Sequence, residues 1–462
     1  MDSSWRPQLE DGPAALYDKI VSAMQRDIDA QVLPAGARLP PQRILAHALG
    51  VSVGTVTRAY VDAELRGLVS AHVGRGTFVT DQGRLTDRPR AAAAPLIDLA
   101  LNFIPFQAAE RRFAESLATL SRRVEMADAM AYAAPVGPDS HRKASVTWLS
   151  RIAGFDADWT QVIMTLGGQH AMSLAFQHLV RPGETVLCEA ATFYGMKSLA
   201  EHGRFALRGV ALDDEGMVPS ALEAAIRATE AKVVYLMPTV QNPTGRTMGP
   251  QRLADIAALV RKYELWVVED DNYALFRPNR DQAPPLMAMR VPDRTFYVGG
   301  VSKALAPGLR TGFLICPPGP HLDAIVRSIR ATIYTPSMLG GLFFSQWVQD
   351  GSAWEVAEAV RADIGRRAHL ARGILGLPDD TPVAPHIWLP MSELQAERVA
   401  SRARRAGVAV TPPDAPIVPG DRVSGLRICL GCAPTVSLLT TGLERLRGAL
   451  SSDPEGADLG MV

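Results

Sequence analysis

The chain has 462 residues, 47% apolar and 21% charged, with Lys plus Arg equal to Asp plus Glu at 48 each. Zero net charge excludes a protein that coats nucleic acid or membrane through bulk charge, and four cysteines exclude a disulfide framework. The first residues lack the apolar core of a signal peptide, and no run approaches the roughly 18 uninterrupted apolar residues of a membrane span. The expected location is therefore the cytoplasm, with no membrane partner.

From the N-terminus, Ala14 to Ala30 places Leu16, Ile20, Ala23, Met24 and Ile28 on one helical face. Pro34, Gly36, Pro40 and Pro41 then break the chain. Gln42 to Leu49 reads as a second, short helix ended by Gly50. Ser52 is a suitable N-cap for a third, Val53 to Arg66, ended by Gly67. Leu68 to Ala71 and Thr77 to Thr80 read as two strands around Val73-Gly74-Arg75-Gly76. Helix, helix, turn, helix and hairpin make a winged helix-turn-helix. Its third helix opens with small hydroxyl and basic residues, Ser52, Thr55, Thr57 and Arg58. A recognition helix needs such residues there to reach base edges and phosphates. Arg43 opens the preceding helix, where it can clamp a phosphate, and Arg75 at the wing tip suits a minor groove. The alternative from pattern and charge alone is a small module for protein contacts.

The run LPAGARLPPQRILAHALGVSVGTVTRAYVDAELRGLVSAHVGRGTFV resembles the DNA-binding domain of the GntR family over its whole length. The resemblance implies that Arg43, Ser52, Thr55, Thr57, Arg58 and Arg75 contact double-stranded promoter DNA. Gln31 and Pro41 depart from the family, which usually has glycine and often serine there.

Residues 81–95, DQGRLTDRPRAAAAP, are polar, then alanine-rich, and read as a linker. The expected domains are therefore 1–80, a winged helix-turn-helix, and 96–462, a unit large enough for an enzyme. In the second unit helices alternate with short apolar runs: Thr185 to Cys188, Val233 to Met237, Leu265 to Val268, Thr295 to Val298 and Phe313 to Cys316. Such runs read as buried strands of a mostly parallel sheet, which binds ligands at the carboxyl ends of its strands.

Four motifs fall near those ends. In TLGGQHAMSL, Gly168 and Gln169 open a helix whose free N–H groups can cradle phosphate. QNPTG offers the Asn242 amide to a phenolic oxygen, although Asn-Pro and Thr-Gly are also common turn chemistry. VVEDDNY ends a strand on carboxylates; Asp270 there can keep a pyridinium nitrogen protonated, and Tyr273 can reach the same phenolic oxygen. The alternatives for the acidic group are a plain strand-end turn or a metal pair, and no histidine stands nearby in sequence for the latter. GGVSKALAPGLRTGF supplies Lys303 for a Schiff base with an aldehyde and Arg310 for a phosphate. In ATFYG, Phe193 or Tyr194 can stack on a ring. Cys429 and Cys432 form a lone C-x-x-C, which reads as small residues on a buried strand rather than a metal site.

Glycine loop, aromatic, NPTG, EDDxY and SK…R, in that order, resemble the fold-type I PLP-dependent aminotransferases over roughly residues 98–450. The resemblance implies pyridoxal 5'-phosphate (PLP) on Lys303, with Asp270 on the ring nitrogen and Asn242 and Tyr273 on the phenolic oxygen. It further implies Phe193 as the stacker and Gly168, Gln169 and Arg310 on the phosphate. Tyr132, in YAAPVG, resembles the tyrosine that reaches a neighbouring subunit's phosphate, and Arg427, in GLRICLG, the arginine that grips an effector carboxylate. Gly300 departs from the family, which often has a phosphate-binding serine there.

The fused halves resemble the MocR subfamily of GntR regulators. The fold expected is α/β: the winged helix-turn-helix, then an aminotransferase-like domain with a mostly parallel central sheet and a smaller C-terminal subdomain. The resemblance implies a domain-swapped homodimer. The fused architecture points to a nucleoid-associated regulator that senses an amino compound through an external aldimine, with turnover left open. The alternatives are an active aminotransferase and a sensor of PLP itself.

Overall fold

The computed structural model describes residues 5–9, 16–30, 32–34, 36–65, 68–72, 76–79, 96–120, 130–278, 284 and 286–451. Cα packing divides the chain into Met1–Ala93 and Ala94–Val462. The linker expected at 81–95 and the wing tip with Arg75 fall largely or wholly outside the described residues.

In the first unit, helix α1 (Leu16–Asp29) buries Ile20, Val21, Met24 and Ile28 on one stripe. Helix α2 (Gln42–Leu49) contributes Leu45 and Ala46, and helix α3 (Val53–Leu65) contributes Val56, Ala59, Tyr60 and Ala63. These spacings of three and four turn each apolar stripe toward a common core, which Trp5 and Leu39 help to close. The turn between α2 and α3 depends on Gly50, whose φ of 65° is left-handed; its N–H donates to the carbonyls of Ala46 and His47. Strands β1 (Val69–His72) and β2 (Gly76–Val79) pair antiparallel with Ser70 opposite Phe78. The helix expected to start at Ala14 begins, among the described residues, at Leu16.

The second unit is built on a seven-stranded sheet. Its order is β4 (Val162–Thr165), β12 (Gly312–Ile315), β11 (Thr295–Gly300), β10 (Trp266–Asp270), β9 (Val233–Leu236), β5 (Thr185–Glu189), β6 (Ala206–Val210). All run parallel except β12, which is antiparallel to both neighbours. The central strands are buried along nearly their whole length because helices cover both faces, which is why they read as continuous apolar runs. A two-residue hairpin, β7 (Leu212–Asp213) with β8 (Gly216–Met217), follows β6.

A smaller subdomain has its own apolar cluster. It pairs β13 (His386–Pro390) antiparallel with β15 (Gly425–Cys429), and β14 (Val408–Val410) parallel with β3 (Ile97–Leu99). Helices Ser352–Leu375, Glu393–Arg405 and Val436–Ser451 pack on these strands. The second of these starts in a capping box between Ser392 and Gln395. Among the described residues, no single helix is long and apolar enough to cross a membrane.

Candidate functional site

The parallel strands deliver the sequence motifs to one edge of the sheet. β10 ends on Asp270, β9 leads into Gln241–Gly245, β5 leads through Thr192 to Phe193, and β11 ends on Gly300 ahead of Lys303. The smaller subdomain adds Arg427 from β15 and His386 from β13, and the loop after β3 adds Asn102. Asn102, Tyr273, Asn242, Arg427, His386 and Lys303 form one hydrogen-bonded cluster.

Tyr273 is its hinge. The phenol oxygen receives the Asn102 Nδ2 at 2.9 Å and the Asn242 Nδ2 at 3.4 Å. Asn242 in turn accepts the Arg427 guanidinium at 2.8 Å on its Oδ1. The remaining guanidinium nitrogens donate to Thr411 Oγ1 at 3.0 Å and the Ala100 carbonyl at 3.1 Å. The Arg427 guanidinium also lies 5.6 Å from the centre of the Tyr194 ring. The Lys303 amine donates to the Asn102 carbonyl. Burial, above all, pushes the Lys303 amine down to about 8, against opposing pulls from Cys429 and Asp270 and with added repulsion from Arg427 and Arg310. About a tenth of this lysine is then a free, nucleophilic amine at pH 7.

Asp270 is almost fully buried. Its Oδ2 accepts the Tyr235 hydroxyl at 2.8 Å; its Oδ1 accepts the Asn272 backbone N–H at 3.1 Å and the Asn272 Nδ2 at 2.6 Å. Burial makes Asp270 a weaker acid than an ordinary carboxyl group, and these donors and the charge of Lys303 oppose that shift. His386 is held neutral, its basicity lowered to about 3 by burial first and then by Arg427. Its Nε2 lies 3.0 Å from the Gln241 carbonyl and its Nδ1 3.0 Å from the Asn102 Nδ2. A carbonyl only accepts and an amide nitrogen only donates, so the ring carries its proton on Nε2.

At the other end of the cluster, the helix Gly168–Leu179 opens after Gly167, whose φ is 86°. A Cβ on Gly167 would lie 2.9 Å from the Arg310 guanidinium, and one on Gly168 would lie 2.4 Å from Asn272 Nδ2. Gly167 and Gly168 thus leave room for polar groups at a helix start, where free N–H groups point outward. Arg310 donates to the Leu166 carbonyl at 2.6 Å and stays exposed. Gln169 donates to the Gly195 carbonyl at 3.1 Å, and Phe193, half-buried, packs over Gly195.

The structure brings Lys303, Asp270, Tyr273, Asn242, Arg427, Phe193, Gly168, Gln169 and Arg310 to this edge. Tyr132 is elsewhere, 82% exposed and edge-on to Tyr334 at 5.2 Å. Cys429 ends β15 with its Sγ against the Ala100 carbonyl at 3.3 Å. Sequence reasoning missed Asn102, Tyr235, Asn272, His386 and Thr411. Asn272 stood inside the VVEDDNY motif, and Tyr235 was a polar aromatic in an otherwise aliphatic strand. Asn102, His386 and Thr411 carry no local pattern.

In the first unit, Arg43, Ser52, Thr57 and Arg58 are exposed or half-buried along the start of α2 and α3, as is Thr55. Ser52 Oγ accepts the Thr55 N–H at 3.1 Å and contacts Thr55 Oγ1 at 2.9 Å, which caps α3. Thr57 donates to Gln42 Oε1 at 2.8 Å, joining the two helices. Arg58 lies over the Tyr17 ring at 4.1 Å.

The family model for aminotransferase class I and II matches residues 94–446, and that for the bacterial regulatory proteins of the gntR family matches residues 16–79. The uncharacterized HTH-type transcriptional regulator YdeF of Bacillus subtilis (strain 168) is 27% identical over 97% of this chain and 97% of its own length. The kynurenine aminotransferase of Pyrococcus horikoshii, crystallised with PMP, superposes with a TM-score of 0.69 at 23% identity, over 80% of this chain and 96% of that one. LysN, the alpha-aminoadipate aminotransferase of Thermus thermophilus, complexed with N-(5'-phosphopyridoxyl)-L-leucine, gives 0.68 at 24% identity, over 77% and 92%.

Proposed function

The chain belongs to the aminotransferase class I and II family, with a GntR-type helix-turn-helix ahead of that domain, and from this premise we propose a one-component transcription regulator that binds promoter DNA and senses an amino compound at a PLP site. One observation carries the reading. Lys303, Asp270, Tyr273, Asn242 and Arg310 meet at the sheet edge of a chain whose other unit presents a helix start rich in hydroxyl and basic residues, which supports this reading.

The residues fit the group. Gly167 and Gly168 form a cradle that a Cβ would fill, beside a guanidinium; an amine of lowered basicity and a buried carboxylate lie in the same cluster. PLP supplies an aldehyde that condenses with primary amines and a ring that withdraws electrons. Lys303 provides the amine that holds it. Asp270 keeps a proton on the ring nitrogen; Asn242 and Tyr273 bind the phenolic oxygen; Phe193 covers the ring face. Gly168, Gln169 and Arg310 hold the phosphate.

Arg427 is placed to select an acidic effector. It is nearly water-free and already oriented by Thr411, Asn242 and Ala100, so a carboxylate meets a preorganised fork. An amine that occupies this site changes DNA affinity to the extent that it binds the two DNA-binding states unequally. On the DNA side, Arg43 and Arg58 take phosphates, and Ser52, Thr55 and Thr57 face the groove, with Arg75 in the wing. A homodimer accords with exposed Phe113, Leu117, Met130, Tyr132, Tyr334 and Leu339, and it assigns Tyr132 to the phosphate of a second copy.

An active aminotransferase is the second reading, favoured by the intact Lys303, Asp270 and Arg427 set. Two assays on the PLP-loaded protein separate them: footprinting on the DNA upstream of its own gene, and keto-acid release with an amino donor and acceptor. The regulator reading expects a specific footprint and at most trace turnover. Turnover in the range of about 1–1000 per second without a footprint contradicts it.

A further inference from the structure

Asn272 sits where three parts of the cluster meet. Its Nδ2 donates to Asp270 Oδ1 at 2.6 Å, and its backbone N–H donates to the same oxygen. The same Nδ2 occupies the space a Cβ on Gly168 would need, at 2.4 Å. Its Oδ1 lies 3.0 Å from the position of a Cβ on Gly300. Two glycines from separate elements, one opening the helix Gly168–Leu179 and one ending β11, therefore both make room for a single amide. An amide nitrogen has two hydrogens; one is committed to Asp270, which leaves the other for a ligand at the helix start.

We propose that Asn272 is a cofactor-positioning residue whose side-chain amide ties the Asp270 carboxylate to the phosphate-binding helix start, in the space left by Gly300. This rests on the PLP reading above. The amide orients Asp270 toward the ring nitrogen with one N–H and adds a donor on the phosphate side with the other. Gly300 is small because the amide needs its place; a side chain there competes with Asn272.

The test is reconstitution of the full-length apo protein, followed by fluorescence titration with PLP and, separately, with pyridoxal, which lacks the phosphate. Wild type, Asn272→Ala, Gly300→Ser and the double variant are compared, with thermal melting of each apo form as a control for folding. Loss of a donor to a charged group predicts that Asn272→Ala weakens PLP binding about tenfold, with a smaller loss for pyridoxal. Gly300→Ser alone also weakens PLP binding. The double variant binds PLP more tightly than either single one, because the serine then has the vacated space and supplies a hydroxyl. Equal losses for PLP and pyridoxal, no loss in Asn272→Ala, or simple additivity in the double variant overturns the proposal. If wild type itself binds no PLP, the cofactor reading fails first, an outcome distinct from a wild type that binds while Asn272→Ala matches it.

Discussion

The residues proposed for DNA and the buried members of the set proposed for the cofactor are held in opposite ways. In the N-terminal unit, Ser52, Thr57 and Arg58 stand in water, fixed by short local contacts such as the Ser52 cap and the Tyr17 ring beneath Arg58. In the second unit, Asn242, Asp270 and Arg427 are 1%, 3% and 2% exposed, and Asn242 and Arg427 are fixed by partners distant in sequence. Exposed charges interact through high dielectric and are screened by salt over about 10 Å at 0.1 M. Buried ones escape that screening, and desolvation moves their protonation equilibria instead. The residues proposed for DNA are therefore expected to respond to salt, and those proposed for the cofactor to pH and to covalent occupancy.

The sharpest way to break this comparison is Lys303→Ala. Removing the amine is expected to weaken PLP retention by about a hundredfold or more, consistent with loss of the covalent link, while leaving the DNA affinity of the apo protein unchanged. Dialysis followed by absorbance spectroscopy measures the first effect and a gel-shift titration the second. A parallel loss of DNA affinity would show that the two sets of residues do not act separately. Next, Arg427→Ala is expected to cost an amino-acid ligand about thirtyfold in affinity, since a buried charge-assisted fork is lost, with PLP retained; ligand titrations of the loaded protein decide it. An unchanged affinity removes Arg427 from the effector site.

Exposed contacts should give smaller, salt-dependent effects. Arg43→Ala and Arg58→Ala are each expected to weaken specific DNA binding about tenfold and to lower the log–log salt slope by about one. Fluorescence anisotropy at several salt concentrations reads both, and an unchanged slope would mean no phosphate contact. The smallest effect concerns pH. With the Lys303 amine at about 8, the free-amine fraction rises about fivefold between pH 7 and pH 8 and levels above that. The rate at which apo protein takes up PLP should follow that rise. A rate still climbing tenfold per unit beyond pH 9 would place the amine near its ordinary value.

Why some of this was legible in sequence follows from the same contrast. Gly50 and Ser52 announce the turn and cap between α2 and α3 because those roles are local. The parallel strands read as apolar runs because both faces are buried. Asp270, Asn242 and Lys303 stand out because strand ends place them in short motifs. His386 and Asn102 do not, since their contacts exist only once β13 and the loop after β3 meet Tyr273 across the fold. The antiparallel β12 was also hidden, as direction leaves no mark in a buried strand's composition.

Occupancy of the Lys303 site is proposed to be read out at DNA. The most direct measurement is the equilibrium affinity and footprint of the full-length protein on the DNA upstream of its own gene, at fixed salt, for the apo form, the PLP-loaded form and the loaded form with a panel of acidic amines. PLP, or PLP with one of these amines, is expected to shift affinity or footprint, and Lys303→Ala is expected to abolish the shift. Specific binding that is the same in all three states, or a shift that survives Lys303→Ala, would contradict it.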